Sequence, residues 1–348
     1  MDHIGIDVHK RESQICILDP GTGEVEERRI QTSAARYAAV LGRRAAAQVL
    51  IEAGTESEWV ATCLEGLGHQ VIVADPGYAP MYPRRGRRQK TDQRDARALA
   101  EASARGTYRA VHRVSAAQRQ VRQHLAVRDT AIRTRTRHIA LLRGLVRSTG
   151  QRLPPGHADG FGLRLAAMRV PPELAAVLAP LPPLLAAVDA AIAAADTALA
   201  AAVAADPIVR LLQTVPGVGP VTSAAIRATL DTPERFANAR AASSYLGVVP
   251  CAHNSGDRRQ GGHISKAGSS RARWLLVQVA WLVLRSPNPH LAPLRTWAER
   301  LAQRRGRRIA VVALARRLAR ILYAMWRDGQ PFDETRLERR RPAPPRVA

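Results

Sequence analysis

The run Ile4-Gly5-Ile6-Asp7-Val8-His9 constrains this chain more than any other six residues. Strand alternation places Ile4, Ile6 and Val8 on one face and Asp7 and His9 on the other. A carboxylate set between two β-branched residues in a central strand is costly unless a partner or a task compensates it. The fold must therefore lay this strand inside a sheet and still give Asp7 something to hold.

The residues that follow supply such a sheet. Segments 4–9 and 13–18 read as strands, and the turn Asp19-Pro20-Gly21-Thr22-Gly23 leads to a third strand near 24–31. An alanine-rich helix over 33–46 precedes a buried strand at 48–52, and a helix over 56–67 precedes a strand at 70–74. Three early strands followed by helix-strand-helix-strand is the order of a ribonuclease H-like α/β domain, expected here over residues 1–110. Three further acids fall where that order would gather them. Glu52 ends the apolar run Val49-Leu50-Ile51, and Asp92 and Asp95 open a helix in Lys90-Thr91-Asp92-Gln93-Arg94-Asp95. Residues three apart on a helix share a face.

Two metal ions about 4 Å apart stabilise the attacking and leaving oxygens of a phosphoryl transfer. Carboxylates and water suit Mg²⁺, so four acids are enough for a pair of such ions. Each acid also has a plainer explanation. Asp92 and Asp95 would serve as an N-cap and a first-turn acid, and Glu52 as a surface strand end.

The charge balance favours the chemical reading. The 348 residues hold 53 Lys and Arg against 29 Asp and Glu, a net charge of +24. A chain this basic has a polyanionic partner, and its abundant arginine offers bidentate contacts to phosphate. From Arg84 to Arg152 there are 19 Lys or Arg against four acids, a net +15 over 69 residues. This excess runs through the loop bearing Arg84, Arg85, Arg87, Arg88 and Lys90 into a long helix expected over 115–149. It reads as a nucleic-acid track rather than a solvated face.

Cys16, Cys63 and Cys251 lie too far apart for a metal-ligand or disulfide framework, which fits a reducing compartment. The sequence reading finds no signal-peptide pattern and no apolar run of the roughly 20 residues that span a bilayer. A soluble cytoplasmic protein without a membrane partner is expected.

Residues 150–183 read as a Pro- and Gly-bearing connector. A helix over 184–205 carries Leu185, Val188, Ile192, Ala195, Leu199 and Ala202 as a heptad seam, open equally to self-association and to packing on its own domain. The middle region, 111–206, is thus expected as a basic helix and coiled-coil linker, and 207–330 as a mostly helical domain. Within the latter, Gln213-Thr214-Val215-Pro216-Gly217-Val218-Gly219-Pro220 resembles the turn of a helix-hairpin-helix, with Gly217 and Gly219 baring backbone N–H groups to a phosphate. Helices are expected near 270–285 and 307–328, and a disordered basic tail over 331–348.

Taken together, Gly5-Ile6-Asp7-Val8-His9-Lys10, Ile51-Glu52-Ala53, Lys90-Thr91-Asp92-Gln93-Arg94-Asp95-Ala96, Gly247-Val248-Val249-Pro250, Asn254-Ser255-Gly256 and Gly262-His263-Ile264-Ser265-Lys266-Ala267-Gly268 resemble the DEDD transposase family of bacterial insertion sequences. The resemblance spans nearly the whole chain. It implies a Holliday-junction-resolvase-like domain binding Mg²⁺ through Asp7, Glu52, Asp92 and Asp95, with Lys10 and Arg94 nearby to meet nucleic acid. It implies a C-terminal domain supplying a serine that links transiently to DNA, and a guide (bridge) RNA that selects donor and target DNA. It further implies a homo-oligomer, dimer or tetramer, in which the acids of one protomer meet the serine of another. Ser255, beside Asp257-Arg258-Arg259, is the preferred nucleophile. Ser265, followed by Lys266 and a helix bearing Arg271 and Arg273, is its rival. Where many relatives carry asparagine after the last glycine, this chain has Ser269-Ser270, which adds candidate hydroxyls.

An RNA-guided recombinase is therefore the reading preferred from sequence. A junction endonuclease using metal-activated water would need the acids but no serine. A non-catalytic nucleic-acid scaffold would need neither.

Overall fold

The computed structural model of the chain describes residues 1–82, 91–255 and 258–338, with backbone alone at 252–255, 258–261 and 338. The chain divides into two compact units, Met1–Arg113 and Val114–Ala348.

In the first unit β1 (His3–Val8), β2 (Glu12–Leu18) and β3 (Val25–Gln31) form an antiparallel meander. They are followed by α1 (Ala34–Leu41), β4 (Gln48–Glu52), α2 (Ser57–Gly66), β5 (Gln70–Ala74) and α3 (Asp92–Arg105). The sheet order is β3-β2-β1-β4-β5, with β4 parallel to both β1 and β5. This mixed α/β arrangement is consistent with a ribonuclease H-like sheet, and it makes β1 central. Helix α1 ends at Leu41, five residues before the expected stop. Gly42 follows, a poor helix former, and donates its N–H to the Ala38 carbonyl to close the last turn.

The two faces of the sheet are filled differently. Ile4, Ile6, Ile15, Val49 and Ile51 pack against Tyr37, Leu41, Val60 and Leu64 of α1 and α2. The opposite face receives α3. A Cβ added at Gly5 would lie 2.1 Å from the Ala96 carbonyl oxygen and 2.3 Å from the Ala100 nitrogen. Only a bare α-carbon lets the helix seat this closely on β1. Asp7 lies on the same face as Gly5, so the docking that Gly5 permits brings the first turn of α3 to Asp7.

The second unit opens with α4 (Ala116–Ser148), capped by Ser115. Asp231 holds that cap, accepting from the Ser115 hydroxyl at 2.7 Å and its N–H at 3.0 Å. The expected connector over 150–183 contains two helices, α5 (Phe161–Ala166) and α6 (Pro172–Leu178). Their Phe161, Leu165 and Leu178 pack on Ile139, Leu142 and Val146 of α4. Pro171 and Pro172 sit at the start of α6, where a missing N–H costs nothing.

Helix α7 (Leu181–Val203) carries the expected seam, which lies against α4 of the same chain: Leu185 joins the Ile139 cluster and Leu199 the Leu125 cluster. The packing-on-its-own-domain alternative is the one observed, while Ala202 is exposed. Residues 172–203 also correct the reading of apolar runs. Its most apolar 18 residues have a mean hydropathy of 1.8, so by length and composition alone this helical segment could cross a bilayer. Alanine raises the hydropathy without the bulky side chains that mark such a segment by eye. Asp189 and Asp196 within it pair with Arg135 and Arg128 of α4.

The rest of the unit comprises α8 (Pro207–Leu212), α9 (Pro220–Leu230), α10 (Ala239–Tyr245), β6 (Pro250–Ser255), β7 (Arg258–Ile264), α11 (Ser270–Arg285), α12 (Ala292–Arg305), α13 (Arg307–Asp328) and α14 (Thr335–Glu338). Strands β6 and β7 form an antiparallel hairpin in which Ser255 pairs with Arg258. The segment has no alternation of apolar and polar residues to announce a strand. The tail also departs from expectation. Phe332 and Leu337 pack on the helical core, and the Phe332 N–H donates to Thr214 Oγ1 at 2.9 Å. Arg317 also donates to the Leu337 carbonyl and His290 meets Glu334 at 2.7 Å, so 331–338 is held by apolar and polar contacts alike, while the basic residues beyond lie outside the described residues.

Candidate metal centre

Asp7 is 8 % exposed, at the centre of the sheet. Its Oδ2 is buried and has no hydrogen-bond partner among the described residues. His9, two residues along the same strand face, brings Nε2 to 3.3 Å from that oxygen, within ion-pair range but out of hydrogen-bond alignment. The same Nε2 lies 3.3 Å from Asp92 Oδ1. Asp7, His9 and Asp92 each offer an atom, all within 4.8 Å of one another. His9 was not among the expected site residues. The period-two pattern had already set it on the face of Asp7, so the signal was present.

Asp92 and Asp95 occupy the first turn of α3, and the cap is neither of them. Thr91 is the N-cap, its Oγ1 accepting from the Arg94 N–H at 3.4 Å. Glu52 ends β4 half-buried and accepts a hydrogen bond from the Tyr82 hydroxyl. Tyr82 is a second residue that sequence reasoning missed, since it is distant in the chain and carries no motif. Burial pushes the Asp7 carboxyl above its ordinary range. His9 acts against this, and the negative charges of Asp92, Asp95 and Glu52 add to it. The charges of all three act on Asp7, while the ligand atoms that lie within 4.8 Å of one another are those of Asp7, His9 and Asp92.

Such a group suits a divalent cation. A buried carboxylate oxygen without a donor, repelled by three other carboxylates, is stabilised by a cation in a way that no surrounding side chain provides. The donor set is oxygen-rich with one imidazole, which matches hard divalent ions better than thiophilic ones.

The remaining expected residues are dispersed. Lys10 and Arg94 are exposed in the first unit. Arg84, Arg85, Arg87, Arg88 and Lys90 lie outside the described residues, as do the side chains of Ser255, Arg258 and Arg259. Ser265 and Lys266 are exposed, and Lys266 adopts a left-handed φ of 56°. Gly247 and Gly268 admit this turn, because a Cβ at either would strike backbone atoms of Ala267 or Tyr245 at 2.2 Å. Arg271 is engaged within its own unit, in an ion pair with Asp129 of α4. Ser269 caps α11, accepting from the Ala272 N–H at 3.2 Å. Gly217 has φ 89°, and a Cβ there would lie 2.5 Å from Leu282 Cδ2, so packing requires this glycine. Gly219 begins α9 with open space around it.

Much of the basic track is spent on the fold. Arg122 donates to the Ala228 and Thr229 carbonyls, and Arg128 and Arg135 pair with Asp196, Asp159 and Asp189. Arg133, Arg137 and Arg147 are left exposed on α4.

Comparison with known proteins accounts for both units. Residues 4–150 match the family model of the IS110 DEDD transposases, described as a transposase. Residues 209–294 match the model described as the transposase IS116/IS110/IS902 family. The transposase for insertion sequence element IS1111A of Coxiella burnetii is 30 % identical over 92 % of this chain and 88 % of its own length. A probable family 20 transposase of Pseudomonas aeruginosa is 29 % identical over 93 % of this chain and 96 % of its own. The transposase for element IS1328 of Yersinia enterocolitica is 25 % identical over 82 % of this chain and 85 % of its own. With acids gathered on the first unit and transposase similarity across both, the chain belongs to the IS110/IS116 family of insertion-sequence transposases, DNA-recombining enzymes of the DEDD type that use divalent metal.

Proposed function

We propose that this transposase cuts and rejoins DNA with two Mg²⁺ ions held by Asp7, Glu52, Asp92 and Asp95, and with Ser255 as the nucleophile. The observation that carries the metal assignment is the buried Oδ2 of Asp7, which accepts no hydrogen bond among the described residues and lies beside His9 and Asp92. Mg²⁺ bound there would offset the charge that develops on the attacking and leaving oxygens of an in-line displacement.

The protein's own groups have distinct tasks. Asp7, on the central strand, is rigidly placed. Tyr82 orients Glu52 by donating to its carboxylate. His9, between Asp7 and Asp92, spaces two ligands and can join them. Helix α3 presents Asp92 and Asp95 from its first turn, where the helix dipole favours negative charge.

In the strand-cleaving step the Ser255 Oγ forms a bond to a DNA phosphorus and the bond from that phosphorus to a deoxyribose oxygen breaks. The serine hydroxyl gives up a proton and the departing oxygen takes one up. Attack by the hydroxyl of the incoming strand reverses both changes and restores the serine. The acids of one protomer act with the serine of another, so the active unit is a dimer or tetramer. A guide RNA transcribed beside the element selects donor and target by base pairing. A protein rich in arginine and without a base-reading motif fits that division of labour.

The test is cleavage of element-junction DNA with Mg²⁺ and the flanking RNA, read on a denaturing protein gel. A labelled strand attached to protein, absent in Ser255→Ala and in Asp7→Asn, is expected. An adduct that persists in Ser255→Ala would move the nucleophile to Ser265. Cleavage without an adduct would replace the serine with metal-activated water.

A further inference from the structure

The second unit contains an arginine-lined groove that none of the motifs above includes. Arg240 of α10 and Arg316, Arg320 and Arg327 of α13, together with Asn238, line a cavity of about 800 Å³. Arg316 and Arg320 also line an adjoining cavity of about 330 Å³, with Arg317 and the indole of Trp297 on α12. Arg316, Arg320 and Arg327 follow one face of α13 and span eleven residues, about 16 Å of helix axis.

Arg316 and Arg320 are half-buried, whereas Arg240 and Arg327 are exposed. Arg316 and Arg320 make no ion pair or hydrogen bond among the described residues, and the Arg320 Nε is shut off from solvent without an acceptor. Burial, and then the charges of Arg320 and Arg240, push the Arg316 guanidinium below its ordinary pKa. No carboxylate among the described residues lines either cavity, and Arg327 at one end of the row pairs with Asp328. Elsewhere in this unit Arg128, Arg135, Arg227 and Arg271 pair with acids, and Arg122, Arg273 and Arg295 donate to backbone carbonyls. Half-buried cations left without acids are stabilised by an anion from outside the protein.

We infer that the Arg240–Arg316–Arg320–Arg327 groove seats the phosphodiester backbone of a single-stranded polynucleotide, with Trp297 beside it as a surface on which a base stacks. The length of the row exceeds one phosphate, which favours a polymer over a mononucleotide. A basic groove adjoining an exposed aromatic is how single strands are held without reading their sequence. The inference rests on the DNA-transposase reading only for its expectation of a nucleic acid, and not on the metal centre.

The experiment uses the full chain in EDTA, which separates it from any failure of the catalytic proposal. Binding of fluorescein-labelled 20-nucleotide RNA, DNA of the same sequence and a DNA duplex is followed by anisotropy against salt. In Arg316→Gln/Arg320→Gln the slope of log affinity on log salt for single strands should fall by about 1.4, two contacts' worth. Arg36→Gln/Arg43→Gln, which removes equal charge from the first unit, should leave it unchanged. Trp297→Leu should weaken single-strand binding by roughly fivefold to a hundredfold with the slope intact. If the α13 double variant has lost its fold by circular dichroism, Arg240→Gln, at an exposed position, should lower the slope by about 0.7. A loss confined to RNA or to DNA identifies the source of the strand. Unchanged slopes in the groove variants, or an equal fall in the first-unit control, would overturn the site. A loss greater for duplex than for single strands would overturn the single-strand assignment.

Discussion

Replacing Asp7 by asparagine should make the metal-free protein more stable while abolishing strand transfer. Asp7 is buried, its Oδ2 lacks a donor, and Asp92, Asp95 and Glu52 repel its charge. Leaving a buried polar atom unsatisfied costs about 1–3 kcal/mol. Asparagine has nearly the same shape, removes the charge, and offers N–H groups to the neighbouring carboxylates. In EDTA at neutral pH the variant is therefore expected to gain about 1–3 kcal/mol. For a unit of the size of Met1–Arg113 that is a rise in melting temperature of roughly 4 °C or more. The sign of the pH dependence follows from the raised carboxyl. Because the folded pKa lies above the unfolded one, Asp7 contributes stability below its unfolded pKa and loses it as pH rises through the folded value. The gap between variant and wild type should widen from acid to neutral pH. Mg²⁺ should close it, since a ligand at a hundred times its Kd stabilises by about 2.7 kcal/mol and the variant has lost a central ligand. Differential scanning fluorimetry in EDTA and in MgCl₂, from pH 4.5 to 8, reads all three effects. A variant that melts below wild type in EDTA, or equal Mg²⁺ shifts in both proteins, would refute the reasoning.

Other perturbations have equally definite outcomes. Gly5→Ala drives a methyl group into the backbone of α3 at 2.1 Å and should cost about 3 kcal/mol in urea unfolding, with loss of cleavage as Asp92 and Asp95 move off. Tyr82→Phe removes the donor to Glu52 and should weaken Mg²⁺ binding, measured by calorimetry, by roughly tenfold with little change in melting. Asp231→Ala strips the Ser115 cap of two hydrogen bonds and should lower stability by about 2–3 kcal/mol in chemical denaturation, without altering Mg²⁺ affinity.

Local pattern made much of the fold legible. The strands, α4, α11 and α13 stand where alternation, helical periodicity and caps place them. Four acids could be singled out because an acid inside an apolar strand, or at a strand end, breaks that pattern visibly. What escaped the sequence were features without a period. The β6–β7 hairpin has no alternation, and α5 and α6 are too short and proline-marked to register. Residues 331–338 are fixed by the apolar contacts of Phe332 and Leu337 and by bonds to Thr214, Arg317 and His290, which have no period in a charged tail. Composition also misled in one respect, since Arg128 and Arg135 of α4, which promised contact with nucleic acid, are partners of Asp159, Asp189 and Asp196.

The sequence by itself determined that β1 is apolar on one face and bears Gly5, Asp7 and His9 on the other, because strand periodicity is a property of the backbone alone. Only the tertiary structure decided what meets them. Helix α3 comes from ninety residues away to rest on the bare α-carbon of Gly5, and with it come Asp92, set against His9, and Asp95. Tyr82 and the arginine row of α13 acquire their settings in the same way. Which charges remain unpaired depends on which side chains folding has already placed beside them, and no local pattern records that.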